Sequence, residues 1–230
     1  TGPTGHTGNT GPTGPTGYTG PTGDSVWTLL DSKDISNNNS SGNVIVAKNL
    51  TVLGDISGGT ILNIGENNTV NDASNSAAIG KSNDAQGEQS FAMGWNNTAS
   101  GNYSVAMGQD CSAGGIASFA DGSGCTAKGD YSVAMGYDCS ANGTYSVAMG
   151  SQNTASGNAS VAMGDGNTAS GNISVAMGQN NTASADYSVA MGVTNAASGN
   201  SSVAMGQDND ASGVCSVAMG QDNTAGGIAS

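Results

Sequence analysis

Ser146-Val147-Ala148-Met149-Gly150-Ser151-Gln152-Asn153-Thr154-Ala155-Ser156-Gly157-Asn158-Ala159 is a fourteen-residue word that starts again at once as Ser160-Val161-Ala162-Met163-Gly164. Counted from its serine, the word occurs eleven times between residues 76 and 229. Position one is always Ser, position three Ala, position five Gly and position ten Ala; position twelve is Gly except at Ala185. All nine methionines fall at position four. An enzyme core scatters its methionines wherever space needs filling. Self-similarity at a fixed period is the mark of a solenoid, one coil built many times.

Within each word Val-Ala-Met alternates with period two, so Val and Met share one face of a strand and Ala takes the other. The expectation is that Val and Met mark the interior. The glycines at positions five and twelve stand seven residues apart and punctuate the coil into two short strands and two turns, where a positive φ is cheap only for glycine. A helix is excluded, since each such glycine would cost it about 1 kcal/mol. Rungs stacked about 4.8 Å apart make a body roughly 50 Å long. Position eight is Asn at Asn83, Asn97, Asn153, Asn167, Asn181, Asn195, Asn209 and Asn223. Stacked amides would bond from rung to rung; alternatively the asparagines serve the turns.

Two further segments precede the repeats. Residues 1–23 carry glycine at every third place, proline after four of these glycines, and threonine at Thr4, Thr7, Thr10, Thr13, Thr16, Thr19 and Thr22. Strict glycine at period three is the collagen triple-helix pattern, because only glycine fits at the crowded axis. Residues 24–61 are read as a strand-rich connector. Val26, Trp27, Leu29 and Leu30 form an apolar cluster, Ser36 to Gly42 is polar, and Asn43 to Ile56 reads as one or two strands. From residue 62 to 230 the chain is solenoid; Leu62-Asn63-Ile64-Gly65 is a degenerate first rung with one extra residue before the next.

Composition closes off several classes of function. Charged residues are 9% and aromatics 4% of the chain, so a thick apolar core is excluded. The net charge of −13, with four lysines and no arginine, argues against nucleic acid and against an anionic membrane surface. No apolar run reaches the roughly 18 residues of a membrane span. The only histidine, His6, lies in the glycine-triplet segment, and no catalytic triad, acid pair or phosphate loop is present. Neither an enzyme nor a cofactor is expected. The chain has no initiator methionine and begins inside one repeat, so it reads as a piece of a longer protein.

The repeated Ser-Val-Ala-Met-Gly and Asn-Thr-Ala-Ser-Gly words, in phase over about residues 62–230, resemble the head of YadA-like trimeric autotransporter adhesins. Here Met stands where that family favours Ile or Leu. The resemblance implies an all-β fold, a left-handed parallel β-roll, with three chains packed around a threefold axis and a role as a surface adhesin. The Gly-Pro-Thr segment is similar to the collagen-like stalks of bacterial spore, phage and giant-virus surface fibres, whose threonines are often glycosylated. A collagen rod needs three chains as well. The expectation is therefore a homotrimeric left-handed parallel β-roll solenoid with an N-terminal collagen-like triple helix.

Four sets of residues depart from the repeat or decorate it. Cys111, Cys125 and Cys139 replace Asn at position eight in three consecutive rungs. Their Cα spacing falls inside the disulfide window of about 4.4–6.8 Å. An inter-rung disulfide, a set of unpaired thiols and a metal site all remain open; Cys215, at position fourteen, is expected free. Asp121 replaces Met at position four, with Lys128 in the same rung. The two form a buried pair within or between subunits, or Asp121 holds an ion on the threefold axis, or a local bulge turns Asp121 to water. Tyr103, Tyr131, Tyr145 and Tyr187 share position fourteen and form an exposed aromatic stripe unless that position points inward. Thr98, Thr126, Thr154, Thr168, Thr182 and Thr224 share position nine.

These readings converge on a homotrimeric extracellular fibre on a cell, spore or virion surface. It attaches to a host-surface, matrix or glycan receptor by multivalent contacts. A passive fibre without a receptor is the alternative, and an ice- or crystal-binding threonine face is the third reading.

Overall fold

The computed structural model describes residue 2 and residues 27–30, 34–37, 62–70 and 75–227. The chain divides into two compact units, Thr1–Ile56 and Ser57–Ser230. In the first, strand Trp27–Leu30 pairs antiparallel with Asp34–Asn37, Trp27 opposite Asn37 and Leu30 opposite Asp34. Trp27, Leu29 and Leu30 of the apolar cluster thus lie on a strand. The strands expected within 43–56, and the collagen-like segment apart from Gly2, lie outside the described residues.

The second unit is a parallel β-solenoid, and no helix occurs among the described residues. Each coil contributes a five-residue strand and a two-residue strand, as in Val147–Ser151 and Thr154–Ala155. The long strands form one twelve-stranded sheet from Leu62–Glu66 to Val217–Gln221, and the short strands a second from Thr69–Val70 to Thr224–Ala225. Like residues stack: Val147 on Val161, Ala148 on Ala162, Met149 on Met163 and Gly150 on Gly164. The first coil is one residue longer, because Leu62 pairs with Ala77 and Thr69 with Asp84. That is the irregularity legible at the start of the repeats.

The interior is where the sequence reading needs correction. The alanines at positions three and ten are fully buried, from Ala78 and Ala85 to Ala204 and Ala211. Val and Met at positions two and four are only half-buried, on the outer face of the long sheet. The space inside each coil is narrow, so methyl groups fill it from both strands and the larger side chains are turned out. A buried methyl contributes only about 0.8 kcal/mol, so this core depends on its hydrogen-bond ladders as well.

Glycine's role also differs between its two positions. At position five the backbone does take a positive φ, +116° at Gly150, and a Cβ there would strike the carbonyl oxygen of Gly164. At position twelve φ is ordinary; a Cβ on Gly157 would strike the carbonyl of Gly171, so glycine lets the backbones close up there, while Ala185 shows that a rung accommodates one Cβ at this position. The left-handed corners fall instead at positions seven and fourteen, held mostly by other residues: Asp138 (φ 51°), Gln152 (53°), Tyr145 (59°), Ile173 (55°) and Thr194 (56°).

A β-branched residue in the left-handed region is an outlier, and the conformation costs L-residues about 1–2 kcal/mol. Thr194 is exposed, and its N–H bonds to the Gln179 carbonyl at 2.9 Å, a bond glycine retains. Thr194→Gly is therefore expected to stabilise the solenoid by about 0.5–1 kcal/mol after glycine's own entropy cost. A raised urea midpoint checks this, and a lowered one counts against it.

Candidate functional site

The most ordered polar feature is the column of asparagines at position eight, buried inside the coil. Asn167 is representative. Its backbone N–H and its side-chain amide both donate to Asn153 Oδ1 at 3.0 Å. The same amide reaches the Met163 carbonyl at 2.9 Å, across the turn of its own rung, and the Gly178 carbonyl at 2.7 Å in the next. Both readings of the asparagines hold together: each closes its own turn and bonds to the next rung. The ladder runs from Asn68 through Asn83 to Asn97, and again from Asn153 to Asn223.

Between these two runs stand Cys111, Cys125 and Cys139, all buried and all free thiols. Cys111 N–H donates to Asn97 Oδ1 at 3.0 Å, the last strong bond of the lower run. Sulfur then takes over: Cys125 Sγ approaches the Gly136 carbonyl at 3.3 Å and Cys139 Sγ the Gly150 carbonyl at 3.4 Å. The neighbouring Cys125 thiol, opposed by burial and aided by backbone hydrogen bonds, brings the Cys111 thiol down to about 7. The same contact, then burial, pushes the Cys125 thiol up, and burial pushes Cys139 up. The sulfurs form a column, and among the described residues no three metal-ligating side chains converge on one point. Cys215 is exposed.

Asp121 lies one position from the coil interior, on the outer face. It pairs in register with Met107 and Met135, so the expected bulge is absent. It is half-buried and Lys128 is exposed. The two make no ion pair within the chain; the ion pair among the described residues joins Lys81 to Glu66 at 3.3 Å, on the surface. The carboxylate tolerates its place because the Val/Met face of a single chain is open to water.

Tyr103, Tyr131, Tyr145 and Tyr187 are exposed, at 51–61%. The left-handed corner turns each ring outward, and Tyr131 stacks on Tyr145 with centroids 5.1 Å apart and planes 10° from parallel. Beside them, position thirteen ties neighbouring rungs: Asp130 Oδ1 accepts the Ile116 N–H at 2.8 Å, and Asp186 Oδ1 the Asn172 N–H at 2.8 Å. The sequence reading missed this second polar ladder, although the recurrence of Asn and Asp at that position was its visible signal. It also missed Trp95 and Tyr137, exposed at position six beside the Val/Met face. At the opposite corner Asn96 and Gln109 hydrogen-bond to Asp110 and hold its carboxyl below the usual range.

On the short sheet, position nine points outward and forms a hydroxyl column in seven consecutive rungs: Thr98, Ser112, Thr126, Ser140, Thr154, Thr168 and Thr182. Thr224 belongs to the same column after Ala196 and Asp210 interrupt it. The triplet threonines Thr4 to Thr22 lie outside the described residues.

A family model described as the YadA head domain repeat, two copies, matches residues 85–110, 113–138, 127–153, 141–167, 169–193, 183–209 and 197–223. Together these cover most of the solenoid and more than half of the chain. No curated protein matches the chain.

Proposed function

This chain belongs to the YadA head domain repeat family, and from that premise we propose that it is a structural and adhesive component of a homotrimeric surface fibre. Residues 1–23 form its collagen-like stalk, 24–61 its connector and 62–230 its left-handed β-roll head. The fibre stands outside the cell, on a cell, spore or virion surface. It works by multivalent attachment to a host-surface, matrix or glycan receptor, without catalysis, cofactor or nucleic acid.

One observation carries the reading. The coil interior is full of alanine, yet a half-buried column of Val and Met, interrupted at one rung by Phe119 and Asp121, runs along the outer face of the long sheet from Val105 to Val203. An apolar stripe of that length on a chain with so few large apolar groups calls for a partner. Two further copies supply one, as the trimeric resemblance implies. Light scattering is expected to give three times the 22.2 kDa chain mass. Met163→Glu is expected to weaken the trimer at least tenfold with the β spectrum retained, because it adds three carboxylates to a column that already carries the carboxylate of Asp121. A monomeric parent protein overturns the reading.

Attachment is separable from assembly. Binding by intact trimers on an array of glycans and matrix proteins supports the adhesin, since three copies raise avidity without new contacts. No binding favours a passive fibre. The outward hydroxyl column from Thr98 to Thr182 favours ice or crystal binding as a second reading; thermal hysteresis at micromolar protein supports it, and none ends it. Mass spectrometry of the native fibre tests hexose addition at Thr4, Thr7, Thr10, Thr13, Thr16, Thr19 and Thr22.

A further inference from the structure

The asparagine ladder is broken from residue 111 to residue 139, and the break has its own chemistry. Sulfur is a weak acceptor, so Asn153, whose counterparts higher in the column receive an amide oxygen, has only the Cys139 sulfur beneath it. Three consecutive rung-to-rung steps, 111 to 125, 125 to 139 and 139 to 153, lack the amide-to-amide bonds of the rest of the column. We propose that Cys125 forms a reversible cross-rung disulfide with Cys111, or alternatively with Cys139, and that this bond latches the solenoid at the seam in its asparagine ladder.

The register supports it. The residues that follow the cysteines are paired, Ser112 with Thr126 and Thr126 with Ser140. The Ser112 N–H meets the Cys125 carbonyl at 2.8 Å, and the Thr126 N–H meets the Cys139 carbonyl at 2.8 Å. All three thiols aim into the coil. Adjacent rungs place their Cα atoms about 4.8 Å apart, inside the disulfide window of about 4.4–6.8 Å. Cys111 and Cys139 are two rungs apart, about 9.6 Å, beyond the limit of about 7 Å. Cys125 is therefore in every bond that forms, and only one bond forms at a time. In-register stacking keeps the Cβ atoms wider apart than the roughly 3.8 Å of a relaxed disulfide. The bond draws two rungs together and belongs to the strained, readily reduced class.

The chemistry balances with a small-molecule disulfide as oxidant. The Cys111 thiolate attacks one sulfur of that disulfide, forming a mixed disulfide and releasing one small thiolate. Cys125, deprotonated, attacks the Cys111 sulfur and releases the second. Two protein thiols lose two protons and two electrons; the small disulfide leaves as two thiols. The neighbouring Cys125 holds the Cys111 thiol the lower of the two, so Cys111 enters first; both are buried, so the exchange takes place while the coil forms or opens at these rungs.

The test uses the full chain with Cys215→Ser and oxidised glutathione, added either to folded protein or during refolding. After alkylation, cleavage before aspartate at Asp110, Asp121, Asp130, Asp138 and Asp165 puts the cysteines in separate peptides, 110–120, 121–129 and 138–164. The expected product links 121–129 to 110–120, with a lesser link to 138–164. Cys111→Ser is expected to leave only the second link and Cys125→Ser neither. Oxidation is also expected to slow amide exchange in rungs 111–141 at least tenfold. A 110–120 to 138–164 link in folded protein, no link in either arm, or exchange unchanged by the link would overturn the latch.

Discussion

Gly150→Ala is expected to be the most damaging single-methyl change in the solenoid, lowering stability by about 4 kcal/mol or more. Two costs add. The backbone at Gly150 sits at φ +116°, a region closed to L-residues and costing of order 1–3 kcal/mol. The new Cβ also strikes the Gly164 carbonyl oxygen of the next rung. That carbonyl belongs to a strand paired in register on both sides, with Met149 on Met163 below and Met163 on Met177 above. Moving it out of the way disturbs two neighbouring interfaces, and in a repeat protein each interface holds up the next.

Gly157→Ala is the informative control. Its φ is ordinary, and the natural Ala185 occupies the equivalent place. There Ser184 keeps its bond to the Ala197 carbonyl at 3.0 Å, but the second, longer bond that Gly157 and Gly171 make to Ala169 and Ala183, at 3.3 Å, has no counterpart at Ala185. The expected loss for Gly157→Ala is about 1–2 kcal/mol. Urea unfolding followed by circular dichroism compares the two. Equal effects would show that contact alone, and not φ, governs position five.

Asn181→Ala is expected to lower stability by about 3–4 kcal/mol. The truncated amide leaves the Met177 and Gly192 carbonyls and Asn167 Oδ1 without its donor. It also removes the acceptor for the Asn195 N–H at 3.0 Å and the Asn195 side chain at 2.9 Å. Asn181 is fully buried, so no water compensates. Each orphaned buried group costs about 1–3 kcal/mol, moderated where another bond survives. Asn181→Cys copies a substitution the chain itself makes three times and is expected to cost less than half as much. If both variants cost the same, the ladder contributes through packing rather than hydrogen bonds, and hydrogen exchange at Asn195 would be unchanged in both.

Much of this was legible from the word Ser-Val-Ala-Met-Gly and its period. Strand rather than helix, the parallel stacking of like on like, the asparagine column and the extra residue between Leu62 and Ala77 all follow from which residues recur and how far apart. The adjacency of Cys111, Cys125 and Cys139 follows in the same way. What the alternation of Val, Ala and Met cannot say is which face is inside. Hydrophobicity ranks Val and Met above Ala, and by that rule they belong in the interior. The closeness of the two strands in each coil reverses the rule, because only a methyl fits between them.

The corners were hidden for a related reason. Glycine advertises positive φ, but at position twelve it marks close contact between backbones, while Tyr, Asp, Gln and even Ile173 and Thr194 take the left-handed turns against their own preference. Those turns are imposed by the closure of the coil, which every rung must complete to meet its neighbours. Asp121 shows the same division. Its sequence position singles it out, but the unbroken pairing with Met107 and Met135 is a property of the stacked sheet. Spacing along the chain sets the period, the strand pairing and which residues stack in columns, and all of that can be read from the residues alone. Which columns are buried and which corners are strained depend on how closely one strand or rung approaches the next, and that distance exists only in the folded coil.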